Sequence, residues 1–264
     1  MTAVLERERV LHVHGVSRRY GGRRGLTVAL TDIDLDVRQG EFVCVVGPSG
    51  SGKSTLLDLL AGHQEPDDGH VWAHGARVTG PDPRRMVVFQ EHALFPWLTA
   101  RQNVEFGLRE AGMGRRERRA VAEEWLGRVR LAGFEDAHVH ELSGGMRQRV
   151  SIARALALEP DVLLMDEPFA ALDAQTRDVL HAELQALWQS TATTVVFITH
   201  NVREAVLLGD RVVLLSPHPG RVRRTVDVTL PRPRHMEDDG LVQFAAGLLH
   251  ELTDTETGDG RAVG

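Results

Sequence analysis

The string GPSGSGKST spans residues 47–55 and contains Lys53. Lysine and arginine together number 31, and Lys53 is the one lysine among them. A lysine ammonium is a compact charge on a thin stem, whereas a guanidinium is a wide planar fork. Only the former fits through a tight ring of backbone N–H groups to reach a bound phosphate. Gly47, Gly50 and Gly52 let the chain turn tightly and bring those N–H groups to an anion. A helix starting at the loop adds its positive N-terminal end. Gly47, Pro48, Ser49, Gly50, Ser51, Gly52, Lys53, Ser54 and Thr55 are read together as a phosphate-binding loop. In it Lys53 bridges the β- and γ-phosphates of a nucleoside triphosphate, and Ser54 ligates Mg²⁺.

Two further strings add chemistry. In VLLMDEP, four apolar residues carry Asp166 and Glu167 to the C-terminal end of a buried strand, where open α/β sheets bind ligands. Asp166 would hold the magnesium shell, and Glu167 would polarise an attacking water as general base. In LSGGMRQRVSIARAL (142–156), Ser143, Gly144 and Gly145 precede Val150, Ile152, Ala153 and Leu156 at helical spacing. A serine-capped, glycine-rich helix start is a second anion-binding terminus. A single triphosphate does not obviously need two such sites from one chain.

The elements that must position these residues form an α/β pattern. Residues 11–20 and 27–37 alternate as half-buried strands, with a slip near Thr31 that fits a bulge. FVCVV (42–46) is a continuous apolar run, as in a strand buried on both faces, and a helix follows over 54–62. Residues 69–78 and 85–90 read as further strands, and Thr99 to about Leu158 as helical. VLLMDE and TTVVFITH flank the helix 176–190, a βαβ crossover that implies parallel strands. Residues 211–216 form another strand and 241–252 an amphipathic helix, whereas 254–264 read as disordered.

Composition narrows the class. No stretch approaches the roughly 20 apolar residues of a membrane span, and MTAVLERERV lacks the apolar core of a secretory signal. The net charge of −6 gives no footprint for nucleic acid. The arginines of 114–130 interleave with Glu117, Glu123 and Glu124, as on a solvated helix face. The single cysteine, Cys44, excludes an internal disulfide and suits a reducing compartment. It sits in a buried run and reads as a core residue.

The phosphate loop, Gln90 in VVFQE, LSGGM, VLLMDEP, AALD ending at Asp173, and His200 in FITH follow one another in order. Together they resemble ATP-binding-cassette (ABC) ATPases over about residues 11–220. The resemblance implies a phosphate-loop NTPase core with a mainly parallel sheet, an N-terminal antiparallel β subdomain and an inserted α-helical subdomain at about 91–158. The ATPase domain would cover 1–230, and 231–264 would be a short C-terminal extension. The implied ligands are ATP and Mg²⁺. Two copies would pair head to tail, with Ser143, Gly144, Gly145 and Met146 of one capping the ATP on the other's phosphate loop. By the same resemblance Tyr20 stacks on adenine, and Gln90 touches magnesium and the attacking water. His200 contacts the γ-phosphate, and Asp173 organises the dimer seam.

FPWLT (95–99), Met146, DAQTR and SPHPGRV resemble importers of the nitrate, sulfonate and taurine group, although Ala170 and Asn201 depart from its usual glycine and aspartate. The run Leu94–Leu98 would receive membrane permease subunits, fed by an extracytoplasmic solute-binding protein, with some of its side chains packing instead into the helical subdomain. The chain would then sit peripherally on the cytoplasmic face of the membrane, with no nucleic-acid partner. The alternatives are a non-transport cassette of DNA repair or translation, and a phosphate-loop kinase. A kinase would lack LSGGM and would need an acceptor site.

Overall fold

The structure, a computed structural model, describes residues 8–22 and 25–253, so the tail 254–264 lies outside the described residues. Strands β1 (Arg9–Gly22) and β2 (Gly25–Arg38) form an antiparallel hairpin. Alternation turns Leu11, Val13 and Val16 of β1, and Ile33, Leu35 and Val37 of β2, into the interior. The slip near Thr31 is a bulge: Val16 pairs with Ile33 but Arg18 with Leu30, and Asp32 takes a φ of 52°. The displaced Thr31 N–H donates to the Gly220 carbonyl at 2.9 Å.

Strand β3 (Phe42–Val46) leads through the glycine loop into helix α1 (Lys53–Ala61). Residues 69–78, expected as one strand, divide into β4 (Asp68–Ala73) and β5 (Ala76–Arg77). His74 and Gly75 turn between them with φ of 49° and 74°. The antiparallel sheet has the order β2-β1-β4-β5.

The second sheet adds β6 (Arg85–Val88), β7 (Val162–Asp166), β8 (Thr194–Thr199), β9 (Arg211–Leu215) and β10 (Val222–Asp227). Its order is β10-β9-β3-β8-β7-β6, parallel except for the β9–β10 pair. Helices α2 (Ala100–Glu110), α3 (Arg115–Arg128) and α4 (Gly144–Leu156) fall between β6 and β7. Helix α5 (Ala174–Thr191) makes the crossover from β7 to β8, with α6 (Val202–Leu208) and α7 (Asp239–Thr253) beyond.

Central strands are apolar throughout because they serve two cores. Val43, Val45, Leu164, Val196 and Ile198 pack with Leu56 and Leu60 of α1 and with Leu30 and Ile33 of the antiparallel sheet. The alternate residues Cys44, Val46, Leu163, Met165 and Phe197 face the other helices. Burial pushes the Cys44 thiol well above its ordinary range, which keeps it protonated and unreactive. On α3, Arg119 meets Glu123 at 2.8 Å and Arg128 meets Glu124 at 2.6 Å, so these two arginines are paired within the helix.

Residues after β10 return to α6 through Arg234, which is 4% exposed. Its guanidinium donates to the carbonyls of Val206 (2.7 Å), Gly209 (2.6 Å), Val228 (3.2 Å) and Leu230 (2.9 Å). Burial lowers its pKa to about 10, which still leaves it charged at neutral pH. Gln185 of α5 donates to its backbone carbonyl at 3.0 Å. Arg234→Met strips several buried carbonyls of their donor and is expected to lower unfolding free energy by about 3 kcal/mol. A urea midpoint unchanged from wild type would contradict this anchoring.

Candidate functional site

Strands β3, β8, β7 and β6 lie side by side and parallel, so their C-terminal ends share one edge of the sheet. The glycine loop follows β3, His200 follows β8, Asp166 and Glu167 close β7, and Gln90 stands just beyond β6. Residues scattered from position 47 to 200 thereby reach one edge of an open sheet, where ligands bind.

Gly52 caps α1 with a φ of 83°. A Cβ there would lie 2.5 Å from Leu30 Cδ2 and 2.8 Å from the Ala29 carbonyl, so the loop requires glycine at this point. Lys53 is buried, and its Nζ donates to the carbonyls of Gly47 and Pro48, both at 2.9 Å. Glu167 Oε1 lies 3.9 Å from the same nitrogen. Burial lowers the Lys53 pKa, and the charges of Glu167 and Asp166 oppose the shift. Ser51 is fully buried, and among the described residues its hydroxyl has no hydrogen-bond partner. Ser49, Gly50 and Ser54 are exposed, while Pro48 and Thr55 are half-buried.

Asp166 is held above the usual carboxylate range, chiefly by burial; a hydrogen bond from Ser54 opposes this and the charge of Glu167 adds to it. The Ser54 hydroxyl and the Asp166 carboxylate are therefore adjacent hard oxygens. Among the described residues no three His, Cys, Asp or Glu side chains converge into a metal cage. One or two protein oxygens, completed by phosphate and water, suit Mg²⁺. The donors present fit that ion, with the exposed Gln90 as a further oxygen near the same edge.

Glu167 takes a φ of 41°, a left-handed backbone that costs a non-glycine residue roughly 1–3 kcal/mol. Its N–H donates to the Ile198 carbonyl at 3.0 Å, which anchors the turn to β8. The carboxylate accepts from His200 Nδ1 at 2.9 Å. One carboxylate thus stands between a buried ammonium and an exposed imidazole. Tyr20 is half-buried next to α1: its hydroxyl donates to Gln64 Oε1 at 2.7 Å and lies 3.4 Å from Thr55 Oγ1. The Arg18 guanidinium stands 5.0 Å from its ring centre.

The signature residues form a separate group. Ser143 caps α4, accepting from the Met146 N–H at 3.3 Å. Asp173 caps α5 from the Thr176 N–H at 2.9 Å, and that bond holds its carboxyl below the usual range. Gly145 lets the two helices approach, since a Cβ there would lie 2.6 Å from Thr176 Cγ2. Among the described residues, no hydrogen bond or ion pair joins Ser143, Gly144, Gly145 or Met146 to the phosphate loop.

Segment 91–98 is tied to α4. Arg154 donates to the Ala93 carbonyl at 2.7 Å, and Gln148 meets His92 at 2.6 Å. The apolar run Leu94–Leu98 divides here between core packing and exposure. Leu94 packs on the core and Phe95 against Phe106 at 4.4 Å between ring centres, while Trp97 is 70% exposed.

Directly behind His200 lies a buried polar cluster that no motif marks. Glu204 on α6 accepts from the Thr199 hydroxyl and lies 2.6 Å from His181 Nε2 on α5. The available signal was a histidine on an apolar helix face between Leu180 and Leu184, together with a glutamate four residues after His200.

The ABC transporter family profile matches residues 30–170. The nitrate import ATP-binding protein NrtD of Synechocystis sp. is 50% identical over 84% of this chain and 83% of its own length. The taurine import ATP-binding protein TauB of Burkholderia thailandensis is 52% identical over 80% of this chain and 82% of its own. Among solved structures, a dimeric post-hydrolysis state of the ATP-binding cassette MJ0796 bound to ADP and Pi superposes with a TM-score of 0.73. It shares 33% identity and covers 84% of this chain and 100% of that one. Profile, relatives and fold agree with the geometry of the sheet edge: the chain belongs to the ABC transporter family, as an ATP-binding ATPase subunit.

Proposed function

We propose that the chain works as one of two head-to-tail copies in an importer of nitrate-, sulfonate- or taurine-type solutes. Lys53, Glu167 and His200 converge in a single chain, whereas the anion-ready start of α4 makes no bond to that chain's own phosphate loop. That separation carries the proposal, because a second copy could bring Ser143, Gly144, Gly145 and Met146 to the phosphates. In support, a relative of the same fold is described as a dimer with ADP and Pi, and two relatives are named for nitrate and taurine import.

The loop N–H groups and Lys53 bind the triphosphate, and Tyr20 stacks on the base. Glu167 takes the proton of the attacking water. His200, through its Nδ1–H, fixes the rotamer of that carboxylate and reaches the γ-phosphate side. Gln90 orients the water from the next strand, and Asp173 orders the seam between copies. Magnesium held by Ser54, Asp166 and Gln90 would neutralise developing phosphate charge. Residues 1–230 form the ATPase domain, with a helical subdomain at about 91–158, and 231–264 form a short extension. Trp97 and its neighbours receive membrane permease subunits at the cytoplasmic face, and an extracytoplasmic binding protein delivers the solute.

Lys53→Ala removes a charge-assisted contact of about 1.5–3 kcal/mol, so ATP affinity is expected to fall about 10- to 150-fold. Fluorescent-nucleotide titration measures it, and unchanged affinity removes Lys53 from phosphate contact. The importer assignment is tested by purifying the tagged chain from membranes. Permease subunits should accompany it, and stable association with ribosomes or DNA in their place would overturn the assignment.

A further inference from the structure

Building on Glu167 as base and His200 as its partner, we propose that His181 and Glu204 are positioning residues for ATP hydrolysis. They lock together the two loops that carry Glu167 and His200. His181 is 1% exposed and Glu204 6%, so both polar groups lie inside the protein. The imidazole Nε2 stands 2.6 Å from Glu204 Oε1, and the ring donates to the carboxylate. The other carboxylate oxygen accepts from the Thr199 hydroxyl. That hydroxyl in turn accepts from the Asn201 N–H at 3.0 Å, and the Asn201 side chain accepts from the Glu204 N–H at 3.3 Å. His200 lies between Thr199 and Asn201, so the backbone on both sides of it is tied to one buried carboxylate.

The same imidazole reaches the other loop. Phe169 stands two residues beyond Glu167 and is 1% exposed. Its ring meets His181 edge-on at 5.3 Å. His181 therefore touches the loop after β7 with its ring and the loop after β8 through Glu204. Glu167, Thr199, His200 and Glu204 also line one small cavity, so a Glu204 side chain that turned into it would approach the reacting groups. The remaining ring nitrogen, Nδ1, has no hydrogen-bond partner among the described residues, and Asp178 is 3.9 Å away. The pair at Nε2 is thus the ring's principal polar tie.

Removing the His181 donor leaves a buried carboxylate one partner short. Glu204 is then free to rotate into the shared cavity, which loosens Thr199 and Asn201. Displacements of about 1 Å at reacting groups can cost about 100-fold in rate. ATP is bound mainly through the loop after β3, which this network does not touch, so affinity should be preserved.

The test compares His181→Leu, which keeps bulk and removes the donor, with His181→Gln, whose amide can donate to Glu204. Turnover is read in the assembly in which wild type hydrolyses ATP, and ATP affinity is read on the chain itself. His181→Leu is expected to lower kcat at least about tenfold with ATP affinity within about twofold of wild type. His181→Gln is expected to restore kcat to within about threefold. Leucine and wild-type rates within threefold, kcat and affinity falling together, or glutamine as impaired as leucine would each overturn the proposal. If His181→Leu does not fold, Thr199→Val breaks the same chain of bonds next to His200 and is judged by the same kcat and affinity criteria. His200→Ala is the control for the underlying mechanism. Wild-type turnover in that variant defeats His200's assigned role, whereas its loss beside an unaffected His181→Leu defeats only the positioning role.

Discussion

Glu167→Gln is expected to keep ATP and lower its hydrolysis by about 10²- to 10⁴-fold, the range that a positioned general base contributes. The substitution nearly preserves shape. A glutamine carbonyl can still accept from His200 Nδ1, now 2.9 Å from the carboxylate, so the turn after β7 should hold. What disappears is the capacity to take a proton and a negative charge 3.9 Å from Lys53. Losing that charge frees the ammonium for phosphate, so affinity should be equal or higher. Closed pairs should then accumulate with ATP, visible by light scattering as a doubling of mass. Wild-type turnover in this variant would remove Glu167 from its role as base.

Ser143→Arg is expected to abolish hydrolysis in the assembled transporter while one chain still binds ATP. The side chain is exposed and its bond within the chain is the helix cap, whose loss costs about 1 kcal/mol. That is too little to unfold the domain. The arginine, however, would occupy the surface where a second copy's phosphates must dock. ATP affinity within about threefold of wild type and loss of turnover are the paired observations expected. Mixing this variant with Lys53→Ala sharpens the result, because a head-to-tail pair then contains one intact composite site and one doubly damaged site. Partial recovery of turnover on mixing supports sharing between copies. An unchanged rate for Ser143→Arg alone would sink the composite site.

Much of this site was legible because the chemistry follows strands that announce themselves. FVCVV, VLLM and VVFI are apolar without interruption, since each is covered on both faces, and each leads into residues that do chemistry. The glycine loop was readable for the same reason: its spacing reflects backbone constraint, as the tight quarters at Gly52 demonstrate. Other elements were hidden for physical reasons. Helix α6 has seven residues, too few for a helical period to emerge. Strand β10 is paired on one side only, and its arginines obscure alternation. The break between β4 and β5 turns on His74 and Gly75, both at positive φ, inside a run that otherwise reads as one strand. His181 and Glu204 are separated by a whole strand, so their pairing is a property of the β7-to-β8 crossover and is not visible locally.

The solitary lysine has one more consequence. A lysine-specific protease has a single bond to cut in the entire sequence, that between Lys53 and Ser54. That bond lies in the first turn of α1, with the lysine side chain buried beneath the loop. Cleavage therefore requires α1 and its loop to open, and when reclosing is fast the rate of cutting reports the free energy of that opening. The digestion rate, read with and without nucleotide, becomes a local gauge of how firmly the phosphate loop is held shut, insensitive to fraying elsewhere in the chain.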